Sequence, residues 1–245
     1  MTPGDAAGAM FVSLAAAPGH VPGVVLLENS IRRFGGPLRG SRMVVFQGSP
    51  GLLQGAPFEG PTEVVTLDLP VRIEDFPFAA KVSACAAAET VCGGEGPLVW
   101  MSHDTLVVNP PLLMVPGERE AAAVRPVHVR NVGIPPGIPP DPFWRGLYDA
   151  LGVDDVPVGV ESFVDSQPLR AYYNSHALSV NPAEGIFGRW LTEFAALVND
   201  GSFQRGPCAD PLHRIFLHQA VLSTILAWLP EGSVRILPPA YGYPY

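Results

Sequence analysis

An apolar run ends in three polar side chains in VWMSHDTLVVNPP, residues 99–111: Ser102, His103 and Asp104. A carboxylate at the carboxyl end of a buried strand can hold a hard divalent cation, which in turn binds a diphosphate and neutralises a leaving group. The imidazole of His103 adds a nitrogen ligand that suits Mn²⁺ or Zn²⁺ better than Mg²⁺, although neighbours at a strand tip usually point opposite ways. With His218 these residues would make a ligand set (His103, Asp104, His218) for a metal-dependent enzyme of another kind. A capped turn is the plain alternative, in which Ser102 and Asp104 satisfy loose backbone amides and His103 faces solvent.

Placing such a tip requires a sheet, and the chain alternates strand and helix signals. Residues 9–16, 42–46, 63–67 and 98–101 read as strands, with helices over 20–34 (apolar at Val24, Leu27 and Ile31) and 75–92. That rhythm predicts an α/β fold with a mainly parallel sheet and helices on its faces. Further on, 124–129 and 176–180 read as strands, and 141–151, 183–198 and 211–229 as helices. The last of these has Ile215, Val221, Leu222 and Ile225 on one side. The Gly- and Pro-rich stretches 47–61 and 133–142 read as loops. In an open parallel sheet, ligands sit at the carboxyl ends of the strands.

The 245 residues, 47% hydrophobic and 16% charged, suffice for one domain over 1–245. A net charge of −8 gives no general attraction to nucleic acid, so no nucleic-acid partner is expected. Cys85, Cys92 and Cys208 form neither a CxxC pair nor an even disulfide set, and read as buried apolar side chains. The first residues lack a basic lead and no run of 18 apolar residues occurs, so the expectation is a cytoplasmic protein with no transmembrane segment.

Seven segments, taken in order, carry a resemblance: VVLLENSIRRFGGPL (24–38), FPFAAKVSACAAAE (76–89), VWMSHDTLVVNPP (99–111), VRPVHVRNVG (124–133), AYYNSHALSVNPAEGIFGRW (171–190), IFLHQAVLS (215–223) and LPPAYGYP (237–244). The third is similar to the W-x-D-x-D-T-L-V form of the Asp-X-Asp motif of GT-A-fold glycosyltransferases. The ordered set resembles a bacterial group of nucleotide-diphospho-sugar transferase-like proteins, over nearly the whole chain. The resemblance implies a GT-A-like mixed, mainly parallel sheet flanked by helices, and transfer of a sugar from a nucleoside-diphosphate sugar to an unknown acceptor.

Carried onto this chain, the resemblance makes Asp104 the second acidic residue of the motif, nearest the metal and the diphosphate, with His103 as a further ligand. Ser102 stands where the first Asp belongs, and a neutral hydroxyl there weakens the case for Mn²⁺ or Mg²⁺. Ser102, His103, Lys81 and Arg125 are the implied donor-binding residues. His128, Asn131, Asn174, His176 and Tyr243 are implied on the sugar or acceptor side, with Tyr241 as an alternative to Tyr243. A regular strand would put Arg125 and His128 on opposite faces. Asp104, His218 and Gln219 are the implied catalytic set, and Asp165, His176 and His218 are candidate bases. Three departures from the family pattern, Ser102, His176 and Gly242, fall in segments that should line one site. They leave open a degenerate protein that binds a nucleotide, a sugar or a partner without turnover.

Overall fold

Strands β1 (Met10–Ala15), β2 (Met43–Gln47) and β4 (Leu98–Met101) are buried at every residue, as parallel strands covered on both faces must be. The computed structural model describes residues 8–94, 96–154, 156 and 158–242. With β3 (Thr62–Thr66), β5 (Ala122–Pro126), β8 (Tyr173–Val180) and β9 (Val234–Ile236), these strands form a seven-stranded sheet in the order β3-β2-β1-β4-β8-β5-β9. Only β8 runs against its neighbours; every other pairing is parallel. Strands β6 (Val158–Glu161) and β7 (Pro168–Arg170) form a separate antiparallel pair.

Period-two alternation sorts the side chains onto two faces. Met10, Val12, Leu14, Leu98 and Trp100 meet α2 (Ala79–Cys92), α4 (Ile186–Asn199) and α6 (Pro211–Ala227), joined by α3 (Pro142–Leu151) and the short α5 (Gly201–Arg205). Phe11, Met43, Val45 and Val99 meet α1 (Val21–Phe34) through its fully buried Val24, Leu27 and Ile31. Each of those three contributes roughly 1.5–3 kcal/mol, so this stripe holds α1, whose first turn tolerates Pro22 because an N–H there has no partner within the helix.

The sequence reading of β1, β2, β3, β4, α1 and α3 agrees with these bounds to within one residue, and all three cysteines are buried and free. Five differences bear on the site. The helix expected from residue 75 begins at Ala79, because the backbone of Phe78 is left-handed at φ 63° and cannot continue a right-handed turn. Strand β5 ends at Pro126, so His128 lies beyond it, whereas β8 begins at Tyr173, three residues before the expected start. The α4 helix starts after Gly185, which at φ 62° separates it from a 3₁₀ turn over Pro182–Glu184. On α6 the one-sided reading fails: Ile215 is exposed, while the residues from Leu217 to Leu226 are all buried, as in a helix covered all round. Strands β6, β7 and β9 and helix α5 are too short to show a period, and the sequence reading missed them.

Candidate functional site

The chain leaves β1 towards β2 and β3 on one side, then returns through α2 to place β4 on the other side of β1. The carboxyl ends of β1 and β4 therefore flank a topological switch point, the crevice where ligands bind in open α/β sheets. One cavity of about 240 Å³ occupies it, lined by Leu14, Ala16, His20, Phe78, Lys81, Trp100, Ser102 and His103. A larger cleft of about 540 Å³ adjoins it, lined by Phe78, Lys81, Asp104, His128, Asn174, Ser175, His176, His218 and Gln219. The turn after β4 divides the two, with Ser102 and His103 on one side and Asp104 on the other. Lys81 and Phe78 line both cavities. Five of the six histidines stand on these walls.

Three groups of contacts build the walls. At the turn, the imidazoles of His20 and His103 stack with ring centroids 3.9 Å apart, and the Ala16 amide donates to His20 Nδ1 at 3.2 Å. The His103 carbonyl packs on Gly23 of α1, where a Cβ would lie 2.5 Å from the oxygen. Asp104 meets His176 Nε2 at 3.1 Å. Burial pushes the Asp104 carboxyl up, but the Ser102 hydroxyl bond and the His176 charge together bring it below the ordinary range. Burial also lowers His176, against the pull of Asp104, so near neutral pH its ring is uncharged. Nε2 then carries the proton towards the carboxylate and Nδ1 holds the lone pair.

In the second group, the Lys81 ammonium donates to the Ser175 hydroxyl at 3.2 Å and lies 4.7 Å from the Phe78 ring centre. Ser175 meets His218 Nε2 at 3.0 Å, and His218 Nδ1 meets the Ile215 carbonyl at 2.9 Å. A carbonyl only accepts, so Nδ1 is the protonated nitrogen and Ser175 donates to Nε2. Burial and the nearby Lys81 charge hold His218 well below the usual imidazole range, and burial brings Lys81 down to about 8. The chain Lys81, Ser175, His218, Ile215 is satisfied at each link. Phe78, with its left-handed backbone, stacks on His218 at 4.1 Å.

The third group closes the far wall. His128 Nε2 meets the Gly242 carbonyl at 3.0 Å, and Arg125 donates to the carbonyls of Tyr241 and Gly242. The two side chains therefore converge, contrary to the opposite faces expected of a regular strand, because β5 ends between them. Arg125 is 3% exposed and lies on Phe163, so it braces the tail and is not among the residues lining either cavity. Since Nε2 of His128 donates to a carbonyl, the 3.4 Å approach of the Asn174 amide nitrogen is a contact between two donors.

Strand β8 delivers three consecutive residues, Asn174, Ser175 and His176, to one cleft, which a regular strand cannot do. It leaves register with β5, where Ala123 pairs with Ser179 but Arg125 with Asn174, so a bulge on β8 turns both faces inward. Ser175 and His20 escaped the sequence reading: nothing but its neighbours marks Ser175, and His20 has the pattern of a helix start.

Other expected residues are not brought in. Asn131 sits exposed in a turn at φ 45°, and Asp165 takes the Ser162 hydroxyl and the Arg130 amide at the β6–β7 turn; neither lines the cleft. Tyr243 lies outside the described residues. Gln219 is buried on the cleft wall beside His218. As a metal centre the donor set fails: His103 faces the other cavity, both ring nitrogens of His218 are engaged, and Asp104 is held by Ser102 and His176. Among the described residues no three His, Cys, Asp or Glu side chains are grouped to hold a metal ion.

No family model matches the chain, and no curated protein matches it. Solved structures do. The bifunctional glycosyltransferase WbbM, in its apo structure, is 14% identical with a TM-score of 0.46, over 98% of this chain and 40% of that one. The galactosyltransferase LgtC, in complex with donor and acceptor sugar analogues, is 13% identical with a TM-score of 0.50, over 94% of this chain and 73% of that one. The chain thus has the GT-A-like glycosyltransferase fold, a mixed α/β sheet flanked by helices. Among the described residues, no helix is long and apolar enough to cross a membrane.

Proposed function

We propose that the two cavities are the donor and acceptor halves of a glycosyltransferase site that uses a nucleoside-diphosphate sugar. The observation that carries this reading is the position of Lys81: one partly desolvated cation facing both cavities at the switch point, where a diphosphate joining a nucleoside to a sugar would lie. The shared fold with a galactosyltransferase solved with donor and acceptor analogues supports it. The nucleoside occupies the smaller cavity beside the His20–His103 stack, and the sugar and acceptor occupy the larger.

In the transfer, the acceptor oxygen bonds to the anomeric carbon as the bond from that carbon to the diphosphate oxygen breaks. The hydroxyl proton passes to His176 Nδ1, to which no described residue hydrogen-bonds, while Asp104 fixes that tautomer through Nε2. The leaving diphosphate gains its charge beside Lys81, which Ser175 and His218 hold in place. The donor set does not fit a cation, so no step is routed through one.

A thermal-shift titration with UDP, GDP, ADP and dTDP, each with Mn²⁺ or with EDTA, tests this, since a ligand of the native state raises stability by RT ln(1 + [L]/Kd). One nucleotide should shift the protein selectively, with Kd differing less than about threefold between Mn²⁺ and EDTA, well under the 1.4 kcal/mol of a tenfold change. No shift with any nucleotide overturns the donor reading, and a shift only with Mn²⁺ overturns the metal-free one. The second reading, a binding protein without turnover, draws on Ser102 in place of an acid. It is separated by release of free nucleotide from the sugar conjugate when an acceptor is added.

A further inference from the structure

Next to the acceptor half lies a third cavity of about 140 Å³, lined by Met101, Val107, Pro110, Pro111, Met114 and Ala177. It is continuous with the cleft, because Thr105, Leu106, Val108, Ala240 and Gly242 border both. Leu106 and Val108 form the lip between them and are 40% and 56% exposed, so apolar surface faces water at the mouth of a polar site. The cavity is preformed. Its tyrosine wall is pinned where the Leu113 amide donates to the Tyr241 hydroxyl at 3.1 Å, and its floor where the Val107 amide donates to the Ser30 hydroxyl at 3.0 Å. Apolar cavities of about 150 Å³ bind benzene.

We propose that the acceptor carries a compact apolar group, of benzyl or butyl size, beside the hydroxyl that receives the sugar, and that this group enters the cavity behind Leu106 and Val108. The inference rests on the glycosyl-transfer reading for the identity of the cleft. The occupant is a substituent of a small molecule, not a protein or membrane face, because the cavity is concave, holds one ring, and opens onto the proposed reaction centre. An acceptor hydroxyl near Asp104 and His176 and an apolar group behind the lip make a compact alcohol with one polar and one apolar end, and burial of that end adds affinity that a bare sugar lacks.

Saturation-transfer NMR with benzyl alcohol, benzyl glucoside and methyl glucoside tests the proposal on the intact chain. Both benzyl probes should receive saturation in the ring, and benzyl glucoside should bind at least tenfold more tightly than methyl glucoside. Ala177→Leu fills the cavity from the side away from the cleft and should abolish the gain. Val108→Asp, at an exposed position that burdens folding little, should reduce it several-fold. Equal binding of the two glucosides, or benzyl binding unchanged in both variants, overturns the proposal. So does adsorption to phosphatidylcholine vesicles that Val108→Asp removes and Ala177→Leu does not, which would give the lip to lipid. Nucleotide titration on the same samples keeps the two readings apart: benzyl binding without nucleotide binding leaves the cavity standing and removes the donor, and the reverse removes only the cavity.

Discussion

In the proposed transfer Lys81 lies beside the diphosphate, and its burial makes opposite demands on stability and on that role. The desolvated ammonium has its pKa brought from 10.5 down to about 8. The folded state therefore binds fewer protons than the unfolded one between those values. The cost of burying the cation is fully present below about pH 8 and is relieved as pH rises towards 10.5. Lys81→Met should accordingly raise stability at pH 7 by roughly 1–3 kcal/mol, read from urea melts, and the advantage should fade by about pH 10. The same variant should lose at least tenfold in nucleotide affinity. In the wild type, nucleotide binding should weaken as pH rises through 8, where an ordinary lysine would hold its charge. A profile flat to pH 10 would show that Lys81 does not meet the phosphates.

At the scale of elements, the motif turn is held in place by a helix. Gly23 lies within α1, where alanine would ordinarily help the helix by about 1 kcal/mol. Here its missing Cβ makes room for the His103 carbonyl, 2.5 Å from where that carbon would be. Gly23→Ala is thus expected to leave the helical circular dichroism intact while pushing the 102–104 turn outward, lowering nucleotide affinity about tenfold or more, or ~1.4 kcal/mol. Unchanged affinity would mean that the turn yields without consequence. The bulge in β8 works in the same way, since element geometry, not residue choice, puts Asn174, Ser175 and His176 on one wall. The sequence reading of β8 began at residue 176 and so missed the segment where the bulge matters.

At the scale of the whole molecule, the site is assembled from residues far apart in the chain. Ala240 and Gly242 wall the cleft that the β4 tip begins, and the Tyr241 and Gly242 carbonyls accept from Arg125 Nη1, the Gly242 carbonyl also from His128. Ending the chain at residue 239 should therefore cost about 1–3 kcal/mol by leaving the buried Arg125 guanidinium without these acceptors. It should also weaken binding on the proposed acceptor side more than nucleotide binding, because the cavity proposed for the nucleoside does not include residues 240–242. Equal loss at both would place the donor against the tail and revise the division of the cleft.

Strands β1 to β4 and the polar tip that follows β4 are legible in the sequence. Short, mostly apolar runs such as MVVFQ and LVWM, bounded by turn residues, read as strands covered on both faces, and the Ser102–His103–Asp104 turn follows the last of them. Burial of Val24, Leu27 and Ile31 follows from helical spacing alone. Which polar residues meet depends on the packing of separate elements. Arg125 turned to the Tyr241 and Gly242 carbonyls and His103 to the smaller cavity, while Ser175, unremarkable in sequence, became the link between Lys81 and His218. Periodicity reports how a residue sits within its own element. Hydrogen bonds between α2, β8 and α6, and the register slip that turns β8, depend on how separate elements pack, and no local pattern records that.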